Sequence, residues 1–429
     1  MEKENAQKLR PLLLVIAIQM LLYLLLLGKS ASAASHYVTV LAGIVLVETG
    51  LAFWLMKRNG SLPVLYATAM IFAIGTCVQC LLSPIFPTIK IELYGVVTVI
   101  AGILFSLAFA RIFPKGKTPR WVYGLVFLGI AVIYGLLMTV GTDPNNTGTT
   151  NTLEIGSITV QPTEFIKVIA AVFYAMLFAD PKIQDKVKVI ASTAFFVVNL
   201  LCLLFIKELG SMLVLIILHI LMLWVFLKPS KMKKIYLSIC MGLILAGVAL
   251  LVFHPYLKEM RFAFPGSERI YSYIDKIYIR YQMAYNLDAL DLNNEGFQMN
   301  QARQAMILGG LLGSNLPISI PVADSDFVFT YVILNFGALT GMGLLLLYVA
   351  FAYAGYSASG RQKGFHQAFV FAATTLFAMQ GFLNISMSTG LIPLAGIGLP
   401  LVSAGGSYEL VCMVLVITMA SLPEGKVQK

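Results

Sequence analysis

Apolar residues along this chain fall in long blocks rather than in alternation with polar ones. A helix crossing the hydrocarbon core of a bilayer needs about 20 of them. Twelve blocks approach or exceed that length, near 11–28, 36–56, 63–86, 92–113, 121–141, 162–180, 187–206, 208–228, 234–254, 326–356, 365–390 and 398–422. The pattern predicts an all-α, polytopic membrane helix bundle of about twelve transmembrane helices. It forms one integral membrane domain over 1–429, with no soluble domain and no internal repeat.

Two connecting segments depart from this pattern. Residues 142–161 are polar, rich in Thr, Asn and Gly, and uncharged except for Asp143 and Glu154. Residues 255–325 form a loop of 71 residues, too long to be structureless by ordinary loop statistics. Its pieces SYIDKIYIRYQMAYNL and MNQARQAMILGGLLG mix apolar and polar positions in a way suited to interfacial or re-entrant helices.

Composition agrees with a membrane protein. The chain is 59% hydrophobic and 12% charged, about half the charge of a soluble domain, with a mean hydropathy of +0.85. A net charge of +10 could suggest nucleic acid, but the cations sit in short loops. With the N-terminus inside, the cytoplasmic segments hold Lys3, Lys8, Arg10, Lys57, Arg58, Arg111, Lys115, Lys117, Arg120, Lys182, Lys186, Lys188, Lys228, Lys231, Lys233, Lys234, Arg361, Lys363, Lys426 and Lys429. The short outer loops hold only Lys29, Lys90 and Lys207. That asymmetry places both termini in the cytoplasm and both unusual segments outside, with no role for nucleic acid.

The first apolar block, followed by SASAAS, has the outline of a signal peptide, but it is longer than a typical signal core of about 7–15 residues. It is read as a retained helix. Cys77 and Cys80 form a CxxC without a second pair or a nearby His, so they read as packing residues.

Ionisable side chains inside membrane helices are costly and usually functional. Glu48, Glu164, Lys167 and Glu409 qualify. Glu164 and Lys167 stand i, i+3 and share a helix face, either as a structural ion pair or with Lys167 presenting a cation to an anionic ligand. Glu48 is expected to meet polar atoms of other helices. Asp326 opens the tenth block, where it could cap the helix or act as a general base on the outer face. Gly405, Gly406 and Ser407 interrupt the last block, through close helix approach or a broken helix lining a cavity.

Several motifs, in order, resemble one family. QPTEFIK (161–167) is similar to Q-P-S-E-F-x-K. GFQMNQARQAMILGGLLG (296–313), DSDFVF (324–329), QGFLNISMSTGLIPLAGIGLPLVSAGGS (380–407) and, more loosely, KELGS (207–211) resemble further signatures in the same order. On these blocks, spanning 155–422, the chain is identified as a member of the shape, elongation, division and sporulation family, the FtsW, RodA and SpoVE group. It departs from the family in lacking an Arg-Arg-Trp segment before QPTE, and in carrying ILNFG (333–337) where G-E-E-L-G is common. The family usually has ten helices, so the chain reads as adding two at the N-terminus, with the addition assigned to residues 1–91 and the core to 92–429.

The resemblance implies a lipid II polymerase on the outer face of the bacterial inner membrane, working with a class B penicillin-binding protein among membrane lipids. Asp326 matches the catalytic carboxylate. Glu164, Lys167, Arg280, Gln298, Arg303 and Ser407 are the implied substrate-binding residues, with Lys167, Arg280 and Arg303 facing the diphosphate. A divalent cation, Mg or Mn, could share that role; no metal ligands are assigned. The loop 255–325 has six cations against seven acids, so charge stabilisation has to come from specific residues. The competing readings are a lipid-linked precursor transporter and a catalytically weak scaffold for a penicillin-binding protein.

Overall fold

The computed structural model describes residues 2–29, 34–82, 87–113, 119–143, 149–156, 158–258, 267–314, 316 and 318–424. Part of the SASAAS run (30–33), residues 144–148 of the first polar segment, and the cations Lys115, Lys117, Lys426 and Lys429 lie outside them.

The helices run α1 (Glu2–Lys29), α2 (Ala34–Arg58), α3 (Leu62–Leu82), α4 (Pro87–Ile112), α5 (Trp121–Val140), α6 (Pro162–Ala179), α7 (Asp185–Phe205), α8 (Leu209–Phe226) and α9 (Lys231–Val252), followed by α10 (His254–Lys258), α11 (Ser267–Tyr285), α12 (Phe297–Gly309), α13 (Val328–Gly360), α14 (Gly364–Ser388) and α15 (Gly406–Ser421). Among the described residues, ten helices are long and apolar enough to cross a membrane, against about twelve expected; Leu9–Leu24 and Gly406–Ser421 are shorter apolar helices. The chain is a multi-pass membrane protein. The segment after α5 folds into an antiparallel hairpin of β1 (Leu153–Ile155) and β2 (Ile158–Val160), and the long loop into α10 to α12. Both lie on one side of the bundle, the loop face.

α1 and α2 attach to the rest through buried polar contacts. Gln19 Nε2 donates to both carboxylate oxygens of Glu48, at 2.9 and 2.8 Å, and to the carbonyl of Ala69 at 3.4 Å. Glu48 therefore meets polar atoms of another helix, as expected. The Tyr23 hydroxyl meets Thr76 Oγ1 at 3.0 Å, and Cys77 and Cys80, both free, pack with Tyr23, Val40 and Ile44.

Two apolar blocks differ from their sequence reading. The tenth helix starts at Val328, with Phe327 at its N-cap and no side-chain cap, so Asp326 neither begins nor caps it. The last block is helical only from Gly406; residues 389–405 are an irregular segment that enters the bundle. Leu394, Ala395, Ile397, Leu399, Leu401 and Val402 are buried there. Irregular backbone at membrane depth survives only when protein groups satisfy it. Here side chains do so: Arg280 donates to Leu394 O at 3.1 Å, Asn384 to Ile397 O at 2.7 Å, Tyr408 to Gly398 O at 2.5 Å, Tyr348 to Pro400 O at 2.6 Å and Gln79 to Val402 O at 2.8 Å.

α13 breaks at Gly337, where φ is 83°. The end of α12 fills the break: Ser314 N donates to Leu334 O at 2.7 Å and Ala338 N to Gly310 O at 2.8 Å. A side chain at 337 would collide with the Leu311 backbone, so glycine is required by both conformation and space. The ILNFG segment thus forms the docking point of a helix from the long loop, with Ile333 and Leu334 buried.

Candidate active site

Pro162 stands in the first turn of α6, where its missing N–H costs nothing, and Glu164 sits in that turn beside the positive end of the helix dipole. Lys167 follows one turn on. Its Nζ donates to Glu164 Oε1 and Oε2 at 2.8 and 2.7 Å and to Gln380 Oε1 of α14 at 2.7 Å. The ammonium also lies 5.5 Å from the centre of the Tyr408 ring, within cation–π range. Glu164 and Lys167 are 6% and 2% exposed, so the pair is sealed inside the bundle.

This pair forms one wall of a cavity of about 370 Å³ on the loop face. The hairpin segment contributes Asp143, Thr149 and Gln161, the turn before α8 Lys207 and Glu208, and α11 Arg280. Asp326, Gly396 and Ser407 complete the opposite side. Ser407 Oγ accepts from Gln161 N at 3.1 Å, tying the start of α15 to the start of α6. Of the two readings of Gly405–Ser407, the broken helix lining a cavity is what forms.

The chain around Asp326 is held rigidly. Asn384 Nδ2 and Ser388 Oγ donate to Asp326 O at 3.0 and 3.3 Å, and Ser403 Oγ donates to Ser325 O at 2.6 Å. Gln79 Nε2 and Ala404 N donate to Asp324 O at 3.2 and 2.7 Å. Gly396, at φ 66°, lies beside the Asp326 carboxylate, with Oδ2 3.7 Å from where a Cβ would stand. Burial pushes the Asp326 carboxyl above the usual carboxylate range; Arg280 pulls it down, and Asp324 adds a smaller upward push. A carboxylate with raised proton affinity, fixed by its backbone, is suited to proton transfer.

The cavity thus brings together Asp326, Glu164, Lys167, Arg280 and Ser407. It does not bring Gln298 and Arg303, which do not line it. The docking of α12 on α13 sets their direction, and Arg303 Nη2 donates to Ala284 O, at the end of α11, at 2.8 Å. Glu409 lies beside Thr98 of α4, also away from the cavity. Arg303→Gln is therefore expected to cost about 1–3 kcal/mol of stability, read as a lowered Tm, without changing substrate affinity. A raised KM at unchanged Tm would return Arg303 to the site.

Sequence reasoning passed over Glu208, Lys207, Gln380 and Tyr408 as site residues. Glu208 accepts from Ser211 Oγ inside the cavity wall. Gln380 was present only as the first residue of a motif, and Lys207 only as a topological charge. Among the described residues no three His, Cys, Asp or Glu side chains converge as a metal site, and Glu164 is already taken up by Lys167.

Residues 65–426 match the family model described as Cell cycle protein, of the FtsW, RodA and SpoVE group. The chain belongs to that family. It is 26% identical over 322 residues to the probable peptidoglycan glycosyltransferase FtsW of Dichelobacter nodosus, covering 71% of this chain and 73% of that protein. Its fold is similar to a chain in a structure of a peptidoglycan synthase complex, with a TM-score of 0.61 at 18% identity, covering 84% of this chain and 97% of that one. It is also similar to the rod shape determining protein RodA of Thermus thermophilus, with a TM-score of 0.54 at 16% identity over 86% and 98% of the two chains. The family match begins inside α3.

Proposed function

We propose that this chain polymerises lipid II into β-1,4 glycan strands, as a peptidoglycan glycosyltransferase of the bacterial inner membrane. The observation that carries this reading is the loop-face cavity, where a half-buried, backbone-clamped Asp326 faces Arg280 in a member of the FtsW, RodA and SpoVE family. The acceptor sugar hydroxyl attacks the anomeric carbon of the donor. Its proton passes to the Asp326 carboxylate as the new C–O bond forms. The bond to the undecaprenyl diphosphate breaks, and its electron pair leaves with the diphosphate. Attack opposite the leaving group converts an α donor linkage into a β product.

Glu164 and Lys167 order one wall of the site, and Ser407 joins α6 to α15 across it. Arg280 serves twice, offsetting the charge of Asp326 and meeting the diphosphate. A divalent cation, Mg or Mn, is assigned to the substrate, whose diphosphate oxygens suit such an ion. The class B penicillin-binding protein partner is supported by the likeness to a chain of a peptidoglycan synthase complex. Purified protein should convert lipid II into glycan strands, more strongly with its partner present. Transport of lipid II without polymer, under conditions where the partner is bound, would replace this reading with the transporter.

The orientation follows from the same reading: the loop face is outside and both termini are cytoplasmic. A membrane-impermeant thiol reagent applied to intact cells should label Asn293→Cys in the long loop and spare Lys363→Cys before α14. The reverse pattern would put the cavity on the wrong side for an extracytoplasmic polymerase.

A further inference from the structure

Glu208 belongs to the wall of the loop-face cavity, is 7% exposed, and has no task in the reaction as described so far. It stands at the N-cap of α8 without capping it. Ser211 Oγ donates to its Oε1, while Oε2 has no hydrogen-bond partner among the described residues. The nearby groups do not supply one. Lys167, whose charge Glu208 feels, already gives its protons to Glu164 and Gln380, and Glu164 adds a like charge. Thr163 Oγ1 is close enough to influence the Glu208 carboxyl, yet it falls short of hydrogen-bond geometry and is itself unpartnered.

The turn that carries Glu208 is fixed from both sides. Before it, Lys207 has a left-handed backbone, φ 60°, rare for a residue with a side chain. Thr149 Oγ1 donates to Lys207 O and Thr150 N to Ile206 O, both at 3.2 Å, so the hairpin segment holds that conformation. After it, Gly210 packs so closely on the irregular segment that a Cβ there would stand 2.8 Å from Gly396 O. Gly396 in turn lies beside the Asp326 carboxylate, so Glu208 and Asp326 are held in one frame around the cavity. A carboxyl oxygen buried without a partner costs stability, and a ligand that pairs with it relieves that cost. Burial pushes the Glu208 carboxyl above the usual carboxylate range. A hydroxyl, which both donates and accepts, suits such a group with or without its proton; a cation needs the charged form alone.

We propose that Glu208 is a sugar-binding residue, whose Oε2 hydrogen-bonds a hydroxyl of the saccharide carried by the lipid-linked substrate. That this saccharide is the one being polymerised rests on the glycosyltransferase reading; its binding does not. Rotation about the last torsion of the side chain, a soft one for a carboxyl, turns Oε2 from the wall toward the cavity. The contact forms on binding and persists through the transfer, so it acts on affinity rather than on turnover.

The test measures lipid II affinity and Tm on purified full-length protein carrying Glu208→Met or Glu208→Gln. Glu208→Met removes both carboxyl oxygens at similar length and should weaken lipid II binding about 10-fold or more. Its Tm should be unchanged or raised, because the unpartnered oxygen is gone. Glu208→Gln should keep most of the affinity, since an amide also donates and accepts. In the polymerisation assay Glu208→Met should raise KM and leave kcat near the wild-type value. A lowered Tm in Glu208→Met makes Glu208 structural and overturns the assignment, as does wild-type lipid II affinity in that variant. A loss in Glu208→Gln as large as in Glu208→Met overturns it too, because the charge rather than the hydrogen bond would then be read. Farnesyl diphosphate, which has no sugar, is the control: weakening equal to that of lipid II would move the contact off the saccharide. Glu208-dependent lipid II binding in a protein that makes no glycan leaves the subsite standing and sinks only the glycosyltransferase reading. Glycan made by Glu208→Met at wild-type KM does the reverse.

Discussion

Asp326→Asn is expected to yield a folded protein whose glycan polymerisation falls roughly 10²-fold or more. The substitution keeps the size of the side chain beside Gly396 and leaves the Asp326 carbonyl to Asn384 and Ser388. It removes the proton acceptor together with the negative charge that Arg280 offsets. Because Phe327 occupies the cap position of α13 without a side-chain cap, no helix-capping role competes for the result. Asp324→Asn is the control: its side chain is exposed, and its carbonyl is what Gln79 and Ala404 hold. The pH–rate profile adds a second readout. A general base works deprotonated, so the rate falls as pH drops through a value that burial has raised above the usual carboxylate range. The acidic limb should therefore lie higher than an exposed aspartate would give, and vanish in the variant. Full polymerase activity in folded Asp326→Asn protein would move the base elsewhere.

Breaking the Glu164–Lys167 pair is expected to cost about 3–5 kcal/mol from either side, since each change strands a buried charge. Lys167 is the better connected partner: its three protons are spread over both Glu164 oxygens and Gln380, with Tyr408 against the charge. Lys167→Met should therefore lower folded yield and Tm sharply. Lys167→Met combined with Glu164→Gln should recover much of that loss, because no charge is then left unpaired. A pair that only orders the wall gives this recovery. Lys167→Met at wild-type Tm with activity lost would instead make Lys167 a direct ligand of the substrate.

The site was legible in the sequence where a residue's role follows from its local surroundings. Glu164 and Lys167 could be paired from spacing alone, because one helix turn fixes their distance whatever surrounds it. Arg303 could not be placed. Its direction depends on how α12 enters the break at Gly337, a contact between segments that share no local pattern.

The bilayer reads apolar run length directly, and so the ten described helices long enough to cross a membrane, and the family motifs, followed from residue order alone. The irregular run 389–405 was the exception. It is apolar enough to be mistaken for the start of a helix, and only side-chain donors from α3, α11, α13, α14 and α15 make its bent backbone tolerable in the interior. Tertiary packing alone decided which polar residues meet. Helix rotation and the entry of that segment set whether a side chain faces the cavity, lipid or another helix, and both arise from contacts far apart in sequence.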